Sequence, residues 1–201
     1  MPPVASPIAW TTIEDALYDW LAAATGLTTI WAEQDSPQPA YPYAVLEITS
    51  GPTKVGGQDE QRQTYDGGQS LGQEIGIEVC GLREITLSVQ VFAKEADALP
   101  TNHPRDMLSR AQSSLGLPSV LQALKVAGLS VIEEMPVQDM SEAIEDTWIT
   151  RAAMDVRLGL AASVTERTGY ISTVEVDLDI KKPDGTTSVD AALRTTFTIG
   201  D

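Results

Sequence analysis

The 201-residue chain carries 29 acidic against 13 basic side chains, a formal net charge of -16, and 42% of its residues are hydrophobic. That is enough apolar material for a sizeable core, while the charge balance argues against gripping nucleic acid through its phosphates, which takes clustered Lys and Arg. Cys80 is the only cysteine, so an internal disulfide and a thiolate metal cage are both excluded.

The start, "MPPVASPIAW", lacks the basic and apolar regions of a secretory signal, and no apolar run approaches the ~20 residues of a membrane helix. A cytosolic chain is expected. An acidic surface is still compatible with lying near nucleic acid, because it lets DNA pass without holding it.

Thr11 and Glu14 have the T-x-x-E spacing of a capping box, which predicts a helix over "TTIEDALYDWLAAATG". Ile13, Leu17, Trp20, Leu21 and Ala24 share one stripe of it, and Gly26 suits the stop. "LTTIWAE" predicts a strand, and the proline-rich "SPQPAYPYAVLEI" leads into another at "YAVLEITS". From Gly51 to Gly72 the chain is polar and glycine-rich, the pattern of a long mobile hairpin-type loop. "QEIGIEVC" and "REITLSVQVFA" then alternate with period two, as two strands joined at Gly81. Ile85, Leu87, Val89 and Val91 take one face, with Glu84, Thr86, Ser88 and Gln90 on the other.

The middle reads as helical. Asn102 or His103 caps a helix with Pro104 in its first turn and Met107, Leu108, Ala111 and Leu115 as its buried stripe. Pro118 restarts a shorter helix carrying Val120, Leu121 and Leu124, ended by Gly128, and "LSVIEEM" is the next strand. From Trp148 to Val164 the even positions are almost all apolar, while the odd ones include Arg151, Asp155, Arg157 and Ser163. Such a run far exceeds the usual strand. "ERTG" is expected to turn the chain back into "YISTVEVDLDI", with "KPDGT" as a further turn and a last strand near "TTFTI".

These elements define an α+β fold: a mixed or antiparallel sheet with helices packed on one face and a long C-terminal β-hairpin. The expected organisation is one domain over residues 1–176, containing the mobile loop at 51–72, and a C-terminal β extension over 177–201.

Candidate chemistry is sparse. His103, the sole histidine, sits where a helix cap belongs, with no nucleophile signature beside it. Asp177 with Asp179, and Glu133 with Glu134, lack a third metal ligand at fixed spacing and suit solvated strand faces better. Gly56-Gly57 and Gly67-Gly68 are followed by no G-K-[S/T], so flexibility explains them better than a phosphate cradle. No catalytic residue, metal ligand or cofactor site is assigned, and an enzyme is not expected. The rival from that class is a small hydrolase using His103.

Two stretches taken together resemble a known family. "IWAEQDSPQPAYPYAVLEI" is similar to the segment in which phage neck or tail terminator proteins carry a Trp, a Gln or Asn, a proline cluster and a strand. "RAAMDVRLGLAASVTERTGYISTVEV" is similar to that family's C-terminal pattern of an Arg-Ala-x-Leu/Met-Asp strand, a turn and Gly-Tyr-Ile. The resemblance covers roughly residues 8 to 176, and Ile180 to Asp201 extend past it.

The resemblance implies a structural virion protein assembled in the host cytoplasm. Its copies would form a ring, commonly a hexamer, that caps the head-proximal end of the tail tube and meets the tail tube protein and the head-completion or stopper proteins. DNA would pass through the lumen without specific binding, and no membrane is involved. A tail tube subunit or a head–tail stopper is the alternative of similar shape. Candidate subunit or tube contacts are Trp31, Pro37, Pro39, Tyr41, Tyr43, Arg151, Asp155, Arg157 and Tyr170, and candidate lumen-facing acids are Asp59, Glu60 and Asp66. Stiffened by prolines, the arm would lose little entropy on docking, with Tyr41 and Tyr43 as anchors. Otherwise both tyrosines pack in their own core.

Overall fold

In the computed structural model, residues 8–33, 37–70, 73–94, 103–144, 147–169, 173–181 and 187–198 are described. Helix α1 (Trp10–Thr25) buries Ile13, Leu17, Trp20, Leu21 and Thr25, close to the expected stripe. Gly26 ends it in the left-handed conformation, φ 71°, with its N–H donating to the Ala22 carbonyl. The capping box does not form. The helix starts earlier, with Ala9 as N-cap and no side-chain bond there. Ile8 is buried in the core and Trp10 packs against it, so apolar burial extends the helix past the polar signal.

The chain then forms β1 (Thr28–Trp31), β2 (Tyr43–Lys54), β3 (Glu60–Tyr65) and β4 (Ile75–Lys94). The glycine-rich stretch therefore holds the end of β2 and all of β3, and the Asp66 N–H closes a turn onto the Glu74 carbonyl at 2.8 Å. β4 is one strand where two were expected. Gly81 lies inside it because the missing side chain leaves room for an ion pair, described below, rather than because the chain turns.

Helices α2 (Pro104–Ser114) and α3 (Pro118–Val126) follow. His103 caps α2, its Nδ1 accepting from the Arg105 N–H at 3.3 Å. Met107, Leu108, Ala111 and Leu115 are buried as expected, whereas α3 fully buries only Leu124 and leaves Leu121 exposed. Gly128 ends the second helical stretch at φ 82°. Then come β5 (Leu129–Glu134), β6 (Gln138–Asp139), β7 (Glu142–Ile144), β8 (Thr147–Thr168), β9 (Thr173–Lys181) and β10 (Thr187–Thr198).

The fold is α+β, with an open mixed sheet. Its strand order is β1-β2-β4-β8-β5, with β6 and β7 also pairing with β8 and β3 pairing with β4. β1 runs parallel to β2, which is antiparallel to β4. β8 continues through Thr168, so Glu166, Arg167 and Thr168 of the expected "ERTG" turn are extended. The long hairpin was expected to join the β8 and β9 segments, but among the described residues β8 pairs with β4, β5, β6 and β7, whereas β9 pairs antiparallel with β10 as a separate two-stranded sheet. The "KPDGT" segment lies outside the described residues.

Contacts divide the chain into two units, Met1–Gln61 with Val79–Val164, and Arg62–Glu78 with Thr165–Asp201. The core belongs to the first. Ala44 and Leu46 from β2, Ile85, Leu87, Val89 and Val91 from β4, and Ala152, Met154, Val156, Leu158 and Leu160 from β8 meet the buried helix residues in one cluster. Period-two alternation thus places one face of the sheet under the helices. At its two ends the β8 pattern escapes burial, leaving Trp148 48% and Val164 38% exposed.

Leu87 has no solvent exposure at the centre of this cluster. Leu87→Ala is expected to cost about 2–5 kcal/mol in urea unfolding. Val126→Ala, at a residue 76% exposed, is expected to stay within about 0.5 kcal/mol of wild type. Equal effects would contradict this placement of the core.

Candidate functional site

The proline arm reaches the sheet through its tyrosines. Tyr43 opens β2 opposite Phe92 of β4, and the two rings stack at 5.1 Å. Tyr41 leans on Tyr43 at 5.2 Å. Gln38 donates from Nε2 to both phenol oxygens, at 2.9 Å to Tyr41 and 3.0 Å to Tyr43. Burial, then the neighbouring Tyr41, raises the Tyr43 pKa. Lys94 lies over the Tyr41 ring at 5.3 Å and the Arg151 guanidinium over Phe92 at 5.0 Å. Tyr41-Pro42 is a cis peptide.

This ladder ties the arm to its own subunit. Tyr43 is buried and Tyr41 half-buried, while Pro37 is exposed and Pro39 partly so. Arg151 donates to Gln90 Oε1 at 2.7 Å and lies 3.8 Å from Glu142, but its buried Nε has no acceptor. Phe92 and Gln90 complete the ladder and were not among the sequence candidates. The available signal was Phe92 itself, an aromatic residue at the end of the otherwise polar face of β4.

Further along the same face, Arg157 bridges three strands. Its Nε donates to Glu84 at 2.6 Å and its Nη1 to Glu133 at 2.5 Å. The Glu84 carboxyl is held below its ordinary range, first by the Arg157 hydrogen bond. Glu133 is thereby an arginine partner. Asp155 is exposed on this strand, and Tyr170 lies outside the described residues.

The candidate lumen acids have local duties. Asp59 receives a two-pronged bond from Arg83, at 2.9 and 2.8 Å, and lies 3.5 Å from Lys54. The arginine bonds hold its pKa low. A Cβ on Gly81 would sit 1.9 Å from Asp59 Oδ1 and 2.4 Å from Arg83 Nη1, so glycine makes space for this pair. In the second unit, Asp66 accepts from Gln69 Nε2 at 2.7 Å and the Gly68 N–H at 3.2 Å, with Arg167 at 3.6 Å. Arg167 also donates to the Gln73 carbonyl at 3.3 Å, a tether that accompanies the continuation of β8 past Val164. Glu60 is exposed.

Trp31 closes one side of a cleft of about 250 Å³ lined also by Glu14, Ala32, Glu33, Leu46, Glu47 and Ile48. It lies where β1 stops beside β2: Trp31 pairs with Leu46, and the Ala32 N–H still reaches the Leu46 carbonyl. Glu14 and Glu47 come from α1 and β2, distant in sequence, which is why they escaped the sequence candidates.

A family model described as phage neck terminator protein matches residues 11–185 of the chain. β10 begins beyond that match. No curated protein matches the sequence.

Two substitutions test these ion pairs. Gly81→Ala pushes Asp59 and Arg83 apart, and the Asp59 carboxyl is expected to titrate at higher pH by NMR; an unchanged titration would refute the crowding. Arg157→Gln is expected to return Glu84 upward toward the ordinary glutamate range. Because Glu84 titrates lower when folded, its contribution to stability is full above the unfolded value and fades as pH falls through the folded one. The variant is therefore expected to show a shallower acid limb in pH-dependent unfolding, and a limb of wild-type slope would count against it.

Proposed function

Because the chain belongs to the phage neck terminator protein family, we propose that its copies close into a ring, a hexamer, that caps the head-proximal end of a phage tail tube. The ring stops tube growth and joins the tube to the head-completion or stopper proteins of the neck. It works in the virion after assembly in the host cytoplasm, as a structural part rather than an enzyme. The family match across residues 11–185 carries this reading.

The physical features agree with it. The sheet is open, with β1 at one edge and β5 at the other, and open edges present unpaired backbone donors and acceptors. Head-to-tail contacts use two different surfaces per subunit, and closure into a ring satisfies both in every copy. The arm offers Pro37 and Pro39 on a base fixed by Tyr43 and Phe92, with Trp31 nearby in sequence and Tyr170 following β8 in the chain. The polar sheet face supplies Arg151, Asp155 and Arg157. A net charge of -16 suits a lumen through which DNA slides unbound. Asp59 and Asp66 line it through arginine-paired carboxylates, and Glu60 through an exposed one.

Phage assembled without this protein is expected to carry tails longer than normal and unjoined to heads in electron micrographs. Purified protein added to tail tubes is expected to place one ring at one end. Normal, head-joined tails in its absence would overturn the assignment, and growth of the purified protein into long filaments would make it a tube subunit instead.

A further inference from the structure

We infer that the cleft beside Trp31 is a receptor for a basic side chain, best an arginine, on an extended segment of a different protein. Three observations converge on it. Glu14 and Glu47 are half-buried and Glu33 is exposed around the cleft, and among the described residues no hydrogen bond or ion pair occupies these three carboxylates. Three carboxylates around one cleft make it complementary to positive charge. Its lining includes the indole of Trp31, the best aromatic partner for a cation, and the apolar Leu46 and Ile48.

Size and spacing narrow the occupant. At about 250 Å³ the cleft is below the ~300–1,000 Å³ of small-molecule sites, which suits one side chain. Among the described residues no group of acids is gathered closely enough to hold a metal ion. Carboxylates dispersed around an indole match a planar guanidinium, which stacks and donates in several directions. A segment can also reach it in extended form. β1 pairs with β2 only from Tyr43 to Leu46, and among the described residues no strand pairs with the same side of β2 beyond that point. The arriving strand would continue the line of β1 along β2, adding backbone hydrogen bonds to the side-chain anchor. The net charge of -16 draws in a basic segment of another protein.

The test is an NMR titration of the full chain with the indole N–H groups labelled, Trp31 being identified by loss of its signal in Trp31→Phe. The probes are acetyl-Val-Arg-Val-amide and the same peptide with neutral citrulline for arginine. The expected result is a saturable Trp31 shift with the arginine peptide, at least about tenfold tighter than with citrulline. Adding Glu14→Gln and Glu47→Gln together is expected to abolish that preference. Equal binding of both peptides, or no Trp31 shift, overturns the inference, and the first of these is read on the wild-type chain alone. It is overturned equally if the double variant alters self-association in sedimentation while arginine preference persists, since the cleft would then serve contacts between copies. Neither tails nor rings enter the measurement, so failure here leaves the neck assignment intact.

Discussion

The alternation of β4 and β8 under the three helices is the constraint on which the rest depends. Ile85, Leu87, Val89 and Val91 on one strand and Ala152, Met154, Val156, Leu158 and Leu160 on the other are buried together. A slip of either strand by one residue would turn that whole set to water and bring Glu84 or Arg157 inward. Burial on one face thus fixes the register, and the register fixes every pairing on the opposite face. Arg151 meets Gln90 and Arg157 meets Glu84 because the core has already aligned the two strands.

That opposite face is polar but not simply charged. Arg157 is neutralised between Glu84 and Glu133, and Arg83 with Lys54 answers Asp59. Exposed or half-exposed pairs of this kind contribute little stability each. Their value lies in fixing side-chain geometry and in spending the few available cations within the subunit. With only 13 basic side chains against 29 acidic ones, some carboxylates among the described residues stay without a basic partner, and Glu14, Glu33 and Glu47 line the cleft beside Trp31.

The proline arm, proposed above as a docking element, is held by contacts within its own subunit. Tyr43 on Phe92, Tyr41 on Tyr43 and Gln38 on both hydroxyls hold the arm before any partner arrives. Prolines supply the fixed backbone and the tyrosines the attachment, so the ordering entropy of the arm is lost on folding, which would spare that cost in the proposed docking. For a subunit proposed to act by closing into a ring, a surface prepared in this way favours one geometry over many.

Period and capping residues made much of the fold legible from the chain alone. The stripe of α1, the Gly26 stop, the His103 cap and the buried evens of β8 all follow from local spacing, because each depends on neighbours within a turn or two. The proline and Arg-Ala patterns likewise carried the family. Three local signals misled. Thr11 and Glu14 lost to the burial of Ile8 and Trp10, Gly81 marked space for an ion pair instead of a turn, and "ERTG" stayed extended beside an Arg167 bonded to Gln73 and Asp66. The Tyr43–Phe92–Arg151 ladder and the cleft of Glu14, Trp31 and Glu47 join residues far apart in sequence. Only the folded sheet brings them within reach, because charge and ring contacts act over a few ångströms and their partners are chosen by strand register, which no single segment encodes.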